Sequence, residues 1–159
     1  MTGNPSKKAP QRVIAKNKRA FHEFTISERF EAGIELKGPE VKSLREGKAV
    51  LQESFAAVEN GELLLKSLHI SPYEPASRFN PDPKRPRRLL LHKTEIAKIR
   101  SAVEEKGLTI VPLSLYFKGH LVKVEIGIAK GKALYDKRET LKKREADRQI
   151  DRAMRESRR

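Results

Sequence analysis

The sequence predicts a mainly β protein, a small antiparallel barrel with two or three short helices, followed by a basic C-terminal tail. Three observations predict it. Apolar residues alternate with others from Phe24 to Leu36, Val111 to Phe117 and Val122 to Ile128, the two-residue period of strands with one buried face. Asn60-Gly61 separates two further apolar runs, and Asn-Gly favours the type I′ turn of a tight hairpin, whose central residues both take positive φ. Charge, finally, gathers at the ends: of a net +14 over 159 residues, residues 1 to 22 hold six basic groups and no acid, and residues 130 to 159 hold twelve basic groups against six acidic.

Residues 1–17 read as a flexible basic arm, with Gly3, Pro5 and Pro10 among lysines and no periodicity. Order is expected from residue 18 to residue 130. The strand pattern from Phe24 to Leu36 breaks at Glu28, which predicts a hairpin turn there. Gly38-Pro39-Glu40 opens a short helix, because proline suits a first turn, and Gly47 marks its end. A strand near Ala49 to Gln52 leads to the Asn-Gly hairpin. Five of the nine prolines fall between Pro72 and Pro86, so residues 71 to 88 form a long loop, made basic by Arg78, Lys84, Arg85, Arg87 and Arg88. Leu89 to Leu91 return to strand. A helix follows from Thr94 to Lys106, with Ile96, Ile99 and Val103 on one face and Gly107 past its end. The two long alternating strands turn at Gly119. Seven or eight short strands and two short helices argue for closure, which removes exposed sheet edges. A Greek-key barrel of the oligonucleotide-binding type, OB-like, suits the charge.

Residues 131–159 offer little to pack. Ala146, Ile150, Ala153 and Met154 share one narrow face of a helix too thinly apolar to fold unaided, so the tail is expected to be disordered when free and helical when bound.

Cationic ends on a nearly balanced body imply a polyanionic partner, since each neutralised phosphate releases counterions. Nucleic acid leads over an anionic membrane, because the tail lacks the large apolar face of a surface-lying helix. With no cysteine there is no disulfide, thiol nucleophile or thiolate zinc site, which fits an intracellular location. No apolar leader or membrane-length run is present. His22, His69, His92 and His120 lie far apart without ligand-like spacing, so neither a metal nor another cofactor is expected. Glu23, Glu28, Glu31 and Glu35 are candidate acid–base or metal-assisted groups, but glutamates on the solvent face of a strand are ordinary. Gly131-Lys132 lacks the spacing of a phosphate loop. Phe21, Phe24, Tyr73, Phe79 and Tyr116 are candidates to stack on unpaired bases, Tyr73 and Phe79 foremost because they sit on the basic loop, while Phe30, Phe55 and Phe117 are expected in the core.

Together the stretches IAKNKRA (14 to 20), FEAGIELKGPEVKSLREGKA (30 to 49), HISPYE (69 to 74), NPDPKRPRRLLLHK (80 to 93), VPLSLYFK (111 to 118) and VKVEIGIAKGKALYDKRE (122 to 139) resemble one family, the SsrA-binding proteins, also called small protein B. The resemblance implies a non-catalytic, cytoplasmic protein that binds the tRNA-like domain of transfer-messenger RNA (tmRNA, SsrA) and accompanies it into the A site of a stalled ribosome for trans-translation. Its implied partners are that RNA and the ribosome, with no DNA or membrane, and the chain is expected to act as a monomer. The implied RNA-binding residues are Asn17, Lys18, Arg19, His22, Glu31, Leu89 and Lys123, to which the basic loop adds Arg87. Lys130, Lys132, Asp136, Lys137, Arg138, Ile150 and Met154 are the implied ribosome contacts, in a tail that senses the empty messenger channel at the decoding centre. Phe24, Pro39 and Ala133 depart from the family's usual residues. Two other functions compete: a ribosomal or ribosome-assembly RNA-binding protein, and an RNA-processing enzyme using Glu31.

Overall fold

The computed structural model describes residues 11–132 and 145–155. The chain runs β1 (Gln11–Lys16), α1 (Lys18–Glu23), β2 (Phe24–Ile34), α2 (Gly38–Arg45), β3 (Ala49–Val50), β4 (Phe55–Glu59), β5 (Glu62–Lys66), β6 (His69–Ile70), a 3-10 segment (Glu74–Phe79), β7 (Arg87–Leu90), α3 (Lys93–Lys106), β8 (Thr109–Lys118) and β9 (Leu121–Gly131). Residues 145–155 are helical, and every side chain there is exposed.

Six strands close a ring in the order β8-β4-β5-β7-β2-β9, because β8 also pairs with β9, and every pairing is antiparallel. β8 makes the closure possible by its length. One edge lies along β9; the other meets β4 at Ile110 and then β1 from Ser114 to Lys118. Strand β1 is therefore ordered, where the sequence reading placed these residues in a flexible arm. It has no apolar alternation to announce it; what holds it is the free edge of β8.

The second departure is at Glu28. β2 does not turn there but continues for 11 residues, with a register shift between Ile26 and Glu28 where Ser27 is the extra residue of a bulge. Ser27 Oγ donates to the Ile128 carbonyl at 3.1 Å. A bulge and a turn both interrupt a two-residue period, so the pattern alone could not separate them.

The ring encloses Ala32, Leu63, Leu65, Leu89, Leu115, Val124 and Ile126, with Leu44 of α2 and Ile99 of α3 closing on the same core. Asn60 and Gly61 take φ of 50° and 75°, as the hairpin requires. α3 ends at Gly107, whose left-handed φ of 64° caps it. A smaller core lies outside the ring, where Ala20 of α1 packs with Val111, Leu113 and Ala129 beside Phe24 and Ile26. Gly127 leaves the space for it: a Cβ there would stand 2.9 Å from Ile26 Cγ2 and 3.1 Å from Leu113 Cδ1. Of the aromatics expected in the core, Phe30 and Phe117 are half-buried against it but Phe55 is exposed, because β4 turns its even-numbered Ala56 inward.

The long proline-rich loop is fastened rather than loose. Glu40, at the start of α2, is 3% exposed and receives Arg85 Nε at 3.1 Å and Arg87 Nε at 2.6 Å. The wholly buried Arg87 also donates to the carbonyls of Leu68 at 2.6 Å and Pro83 at 3.0 Å. Burial pushes the Glu40 carboxyl up, but the hydrogen bonds from Arg85, the Lys37 N–H and Arg87 outweigh it and hold the group below the usual carboxylate range.

Candidate nucleic-acid interface

The outer face of β2, β9 and β8 is polar because alternation sends their apolar residues inward. Register aligns Glu31 with Glu125 and Ser114 in one row, and Gly33 with Lys123, Tyr116 and Val13 in the next. Two acids facing each other across strands would repel, and cations offset them. Arg29 donates to Glu125 at 3.1 Å, and Lys118 Nζ to Glu31 Oε1 at 3.0 Å, while the Tyr116 hydroxyl donates to Glu31 Oε2. Tyr116 and then Lys118 hold the Glu31 carboxyl below its ordinary value against the effect of partial burial. Burial and the Glu31 carboxylate push the Tyr116 phenol above its ordinary value. Both shifts favour an ionised Glu31 and a neutral Tyr116. The result is a fixed anionic acceptor among cations, suited to the donor edge of a base while lysines meet the phosphates around it.

The face continues onto α1. The Arg29 guanidinium lies over the Phe21 ring at 5.5 Å from its centre, and Phe21 is 45% exposed. His22 follows, half-buried, with Nδ1 enclosed and without a hydrogen-bond partner among the described residues. Thr25 aligns with Lys130 across β2 and β9. Lys132 N–H donates to the Glu23 carbonyl at 2.8 Å and its Nζ to the Phe21 carbonyl at 3.3 Å, so the exit of β9 is tied to α1. At the other end of the face a cleft of about 430 Å³ is lined by Gly33, Leu36, Val41, Leu90, Leu121 and Lys123. Among the described residues, Lys18, Lys123 and Lys130 form no salt bridge, which leaves them available to phosphates.

The structure thus brings Lys18, Arg19, His22, Glu31, Lys123, Lys130 and Lys132 onto or beside one continuous face, with Arg19 paired to Glu23 at 2.8 Å. It buries four of the expected contact residues. Asn17 is 4% exposed and caps α1: its Oδ1 accepts from the Ala20 N–H at 3.2 Å, and its Nδ2 donates to the Pro112 carbonyl at 2.9 Å. Leu89 is 2% exposed in the core, because β7 points its odd residues inward; the exposed leucine is Leu90, at 47%. Arg87 shares that inward parity and is neutralised by Glu40. Tyr116 is 6% exposed, so it orients Glu31 instead of stacking on a base. Asp136, Lys137 and Arg138 lie outside the described residues; Ile150 and Met154 are exposed on the C-terminal helix, at 53% and 55%.

Arg29 and Leu90, exposed beside this face, and the Tyr116 bond to Glu31 are features the sequence reading does not name. Arg29 was the findable one, since it shares a strand face with Glu31. The four candidate glutamates do not converge: Glu23 meets Arg19, Glu28 meets Lys98 of α3, Glu31 meets Lys118 and Glu35 meets Arg88.

A small closed barrel with a continuous basic face built around one acceptor carboxylate defines a nucleic-acid-binding β-barrel protein. Comparison with known proteins makes this particular. The family described as SmpB protein matches residues 14–156. The SsrA-binding protein of Carboxydothermus hydrogenoformans is 57% identical over 145 residues, covering 91% of this chain and 97% of that one. The SsrA-binding protein of Geobacter sulfurreducens is 57% identical over 146 residues, covering 92% and 95%. A chain from the solved structure "tmRNA-SmpB: a journey to the center of the bacterial ribosome" is 52% identical, with a TM-score of 0.63 over 76% of this chain and 85% of that one. The chain belongs to the SmpB family.

Proposed function

We propose that this chain is a non-catalytic RNA-binding protein that holds the tRNA-like domain of tmRNA on its β2-β9-β8 face and delivers it to the A site of stalled ribosomes. One observation carries the reading: relatives described as SsrA-binding proteins match nearly end to end at more than half identity. The basic face supports it with a surface of suitable chemistry, in which Glu31 and Lys123 read and neutralise, and α1 contributes Lys18, Arg19 and His22. A ribosome-assembly role is the less favoured reading, since those relatives are named for binding SsrA. The site of action is the cytoplasm, where stalled ribosomes are.

Residues 131–159 form the second functional part. With twelve basic and six acidic groups from residue 130 onward, and a helix at 145–155 whose side chains are all exposed, the tail suits an rRNA-lined channel. The test is a pair of measurements on the full chain and on a chain ending at Lys130. Both should capture tmRNA from a bacterial lysate, and only the full chain should support tagging on ribosomes stalled without a stop codon. Recovery of bulk RNA alone by the full chain would overturn the assignment. Metal-dependent RNA cleavage that is lost on Glu31→Gln would overturn the non-catalytic part.

A further inference from the structure

The loop between β6 and β7 carries features the barrel does not need. Phe79 is 72% exposed, and the Arg78 guanidinium lies over its ring at 5.2 Å from the centre. Six residues earlier Tyr73 carries Lys42 Nζ at 5.5 Å from its own ring centre. Two aromatic rings of one loop therefore each meet a cation, one from the loop itself and one from α2. Water would ordinarily drive such rings inward, unless the chain holds them out.

It holds Phe79 out, while Tyr73 stays half-buried. The Asn80 side chain serves three backbone groups: its Oδ1 accepts from the Tyr73 N–H at 2.8 Å, and its Nδ2 donates to the carbonyls of Tyr73 at 2.8 Å and Ser77 at 2.9 Å. Ser77 sits at φ 50° and ψ −121°, a conformation natural to glycine and strained for serine. The base of the loop is locked by Arg85 and Arg87 on Glu40. A strained, cross-braced loop that displays its aromatic ring is preorganised for a partner.

The chemistry selects that partner. A flat ring under a guanidinium, with Arg78 and Lys84 exposed and Lys42 close by, fits the π-face of a nucleobase and its phosphate; the loop's acids are Glu74 and Asp82, and Asp82 accepts the Lys84 N–H at 2.8 Å. Only an unpaired base exposes that face. β7 runs from this loop directly to Leu90, which lies over Gly33 in the cleft lined by Lys123. α2 joins the two places as well: Val41 lines the cleft with Lys123, and the next residue, Lys42, carries its Nζ over the Tyr73 ring, so an RNA lying across Lys123 has the loop beside it. We infer that residues 73–80 form a second contact for that same RNA, in which Phe79 and Arg78 stack an unpaired base. This rests on the proposed function, which supplies the RNA.

The test measures affinity of the full chain for a transcript of the tRNA-like domain of tmRNA across a salt series, for the wild type, Phe79→Ala, Phe79→Trp, Asn80→Ala and Lys123→Ala. Phe79→Ala should weaken binding roughly tenfold while leaving the salt slope unchanged, because a stacking contact is lost without a charge. Phe79→Trp should restore affinity, and Asn80→Ala, which unbraces the loop with Phe79 still present, should weaken it. Melting of Phe79→Ala at the wild-type temperature confirms that only the surface changed. If the wild type and Lys123→Ala behave as proposed but Phe79→Ala binds within about twofold of wild type, the inference alone is wrong. If Phe79→Ala loses affinity for purified small ribosomal subunits but not for the transcript, the base belongs to ribosomal RNA and the single-RNA assignment falls. A wild type that ignores the transcript overturns the functional reading itself.

Discussion

The Tyr116 hydroxyl donates a hydrogen bond to Glu31 across the whole width of β9, joining residues 85 positions apart on strands that do not pair with each other along this stretch. The phenol is buried at the ring and polar at its tip, so packing fixes the ring and the ring fixes the carboxylate. Glu31 is thereby set before any ligand arrives.

Tyr116→Phe removes that donor and keeps the packing. The expected loss of stability is about 1 kcal/mol, discounted because Glu31 remains partly exposed and rehydrates. RNA affinity should fall while the salt slope stays constant, since no phosphate contact is touched. Urea unfolding and a salt series of binding constants check both parts.

Acid should find the two braced carboxylates first. Glu31 and Glu40 both have folded values below the ordinary 4.5, so the unfolded chain takes up protons before the folded one. Their stabilisation is fully present above about pH 4.5 and is lost as the pH falls through the lowered folded values. The urea midpoint should therefore decline steeply below that point, and less steeply in Tyr116→Phe.

Glu40→Ala leaves Arg87 buried without a counterion and should cost about 3–5 kcal/mol. A double variant that also makes Arg87→Met removes the stranded charge and should recover much of the loss, although the loop's hydrogen bonds to Leu68 and Pro83 go with it. Equilibrium unfolding of the single and double variants measures the difference.

Leu89 and Leu90 should separate cleanly. Leu89→Ala empties core volume and should cost about 2–5 kcal/mol. Leu90→Ala, on the exposed side, should stay within about 1 kcal/mol of wild type and instead weaken RNA binding at the cleft beside Lys123. Thermal melting and transcript binding on the same samples distinguish the two effects.

The barrel was legible because its long strands obey a two-residue period and its tight turn carries Asn-Gly. What escaped were features set by partners distant in sequence. β1 has no pattern of its own and is held by the open edge of β8, with Ile14 and Ala15 packed against the core. Arg87 was read as a surface cation from the charge around it, yet its parity with Leu89 already pointed inward, and its partner Glu40 lies 47 residues away. At the interface, Glu31, His22 and Lys123 were named from resemblance, and alternation along β2 adds Arg29. Leu90 was missed because assigning a role to Leu89 ignored which of two adjacent leucines a strand can expose.

The two bonds from Lys132 to α1 give the tail a fixed point of departure. A chain leaving a barrel through a free linker would search a broad cone of directions. Here the first residue beyond β9 is pinned to the backbone of Phe21 and Glu23, next to His22. Whatever moves α1 therefore also moves the point from which the chain leaves the barrel, so on the proposed reading an RNA seated on α1 and the ribosome-facing part of the protein share one anchor, as a rifle's stock and barrel share one bedding.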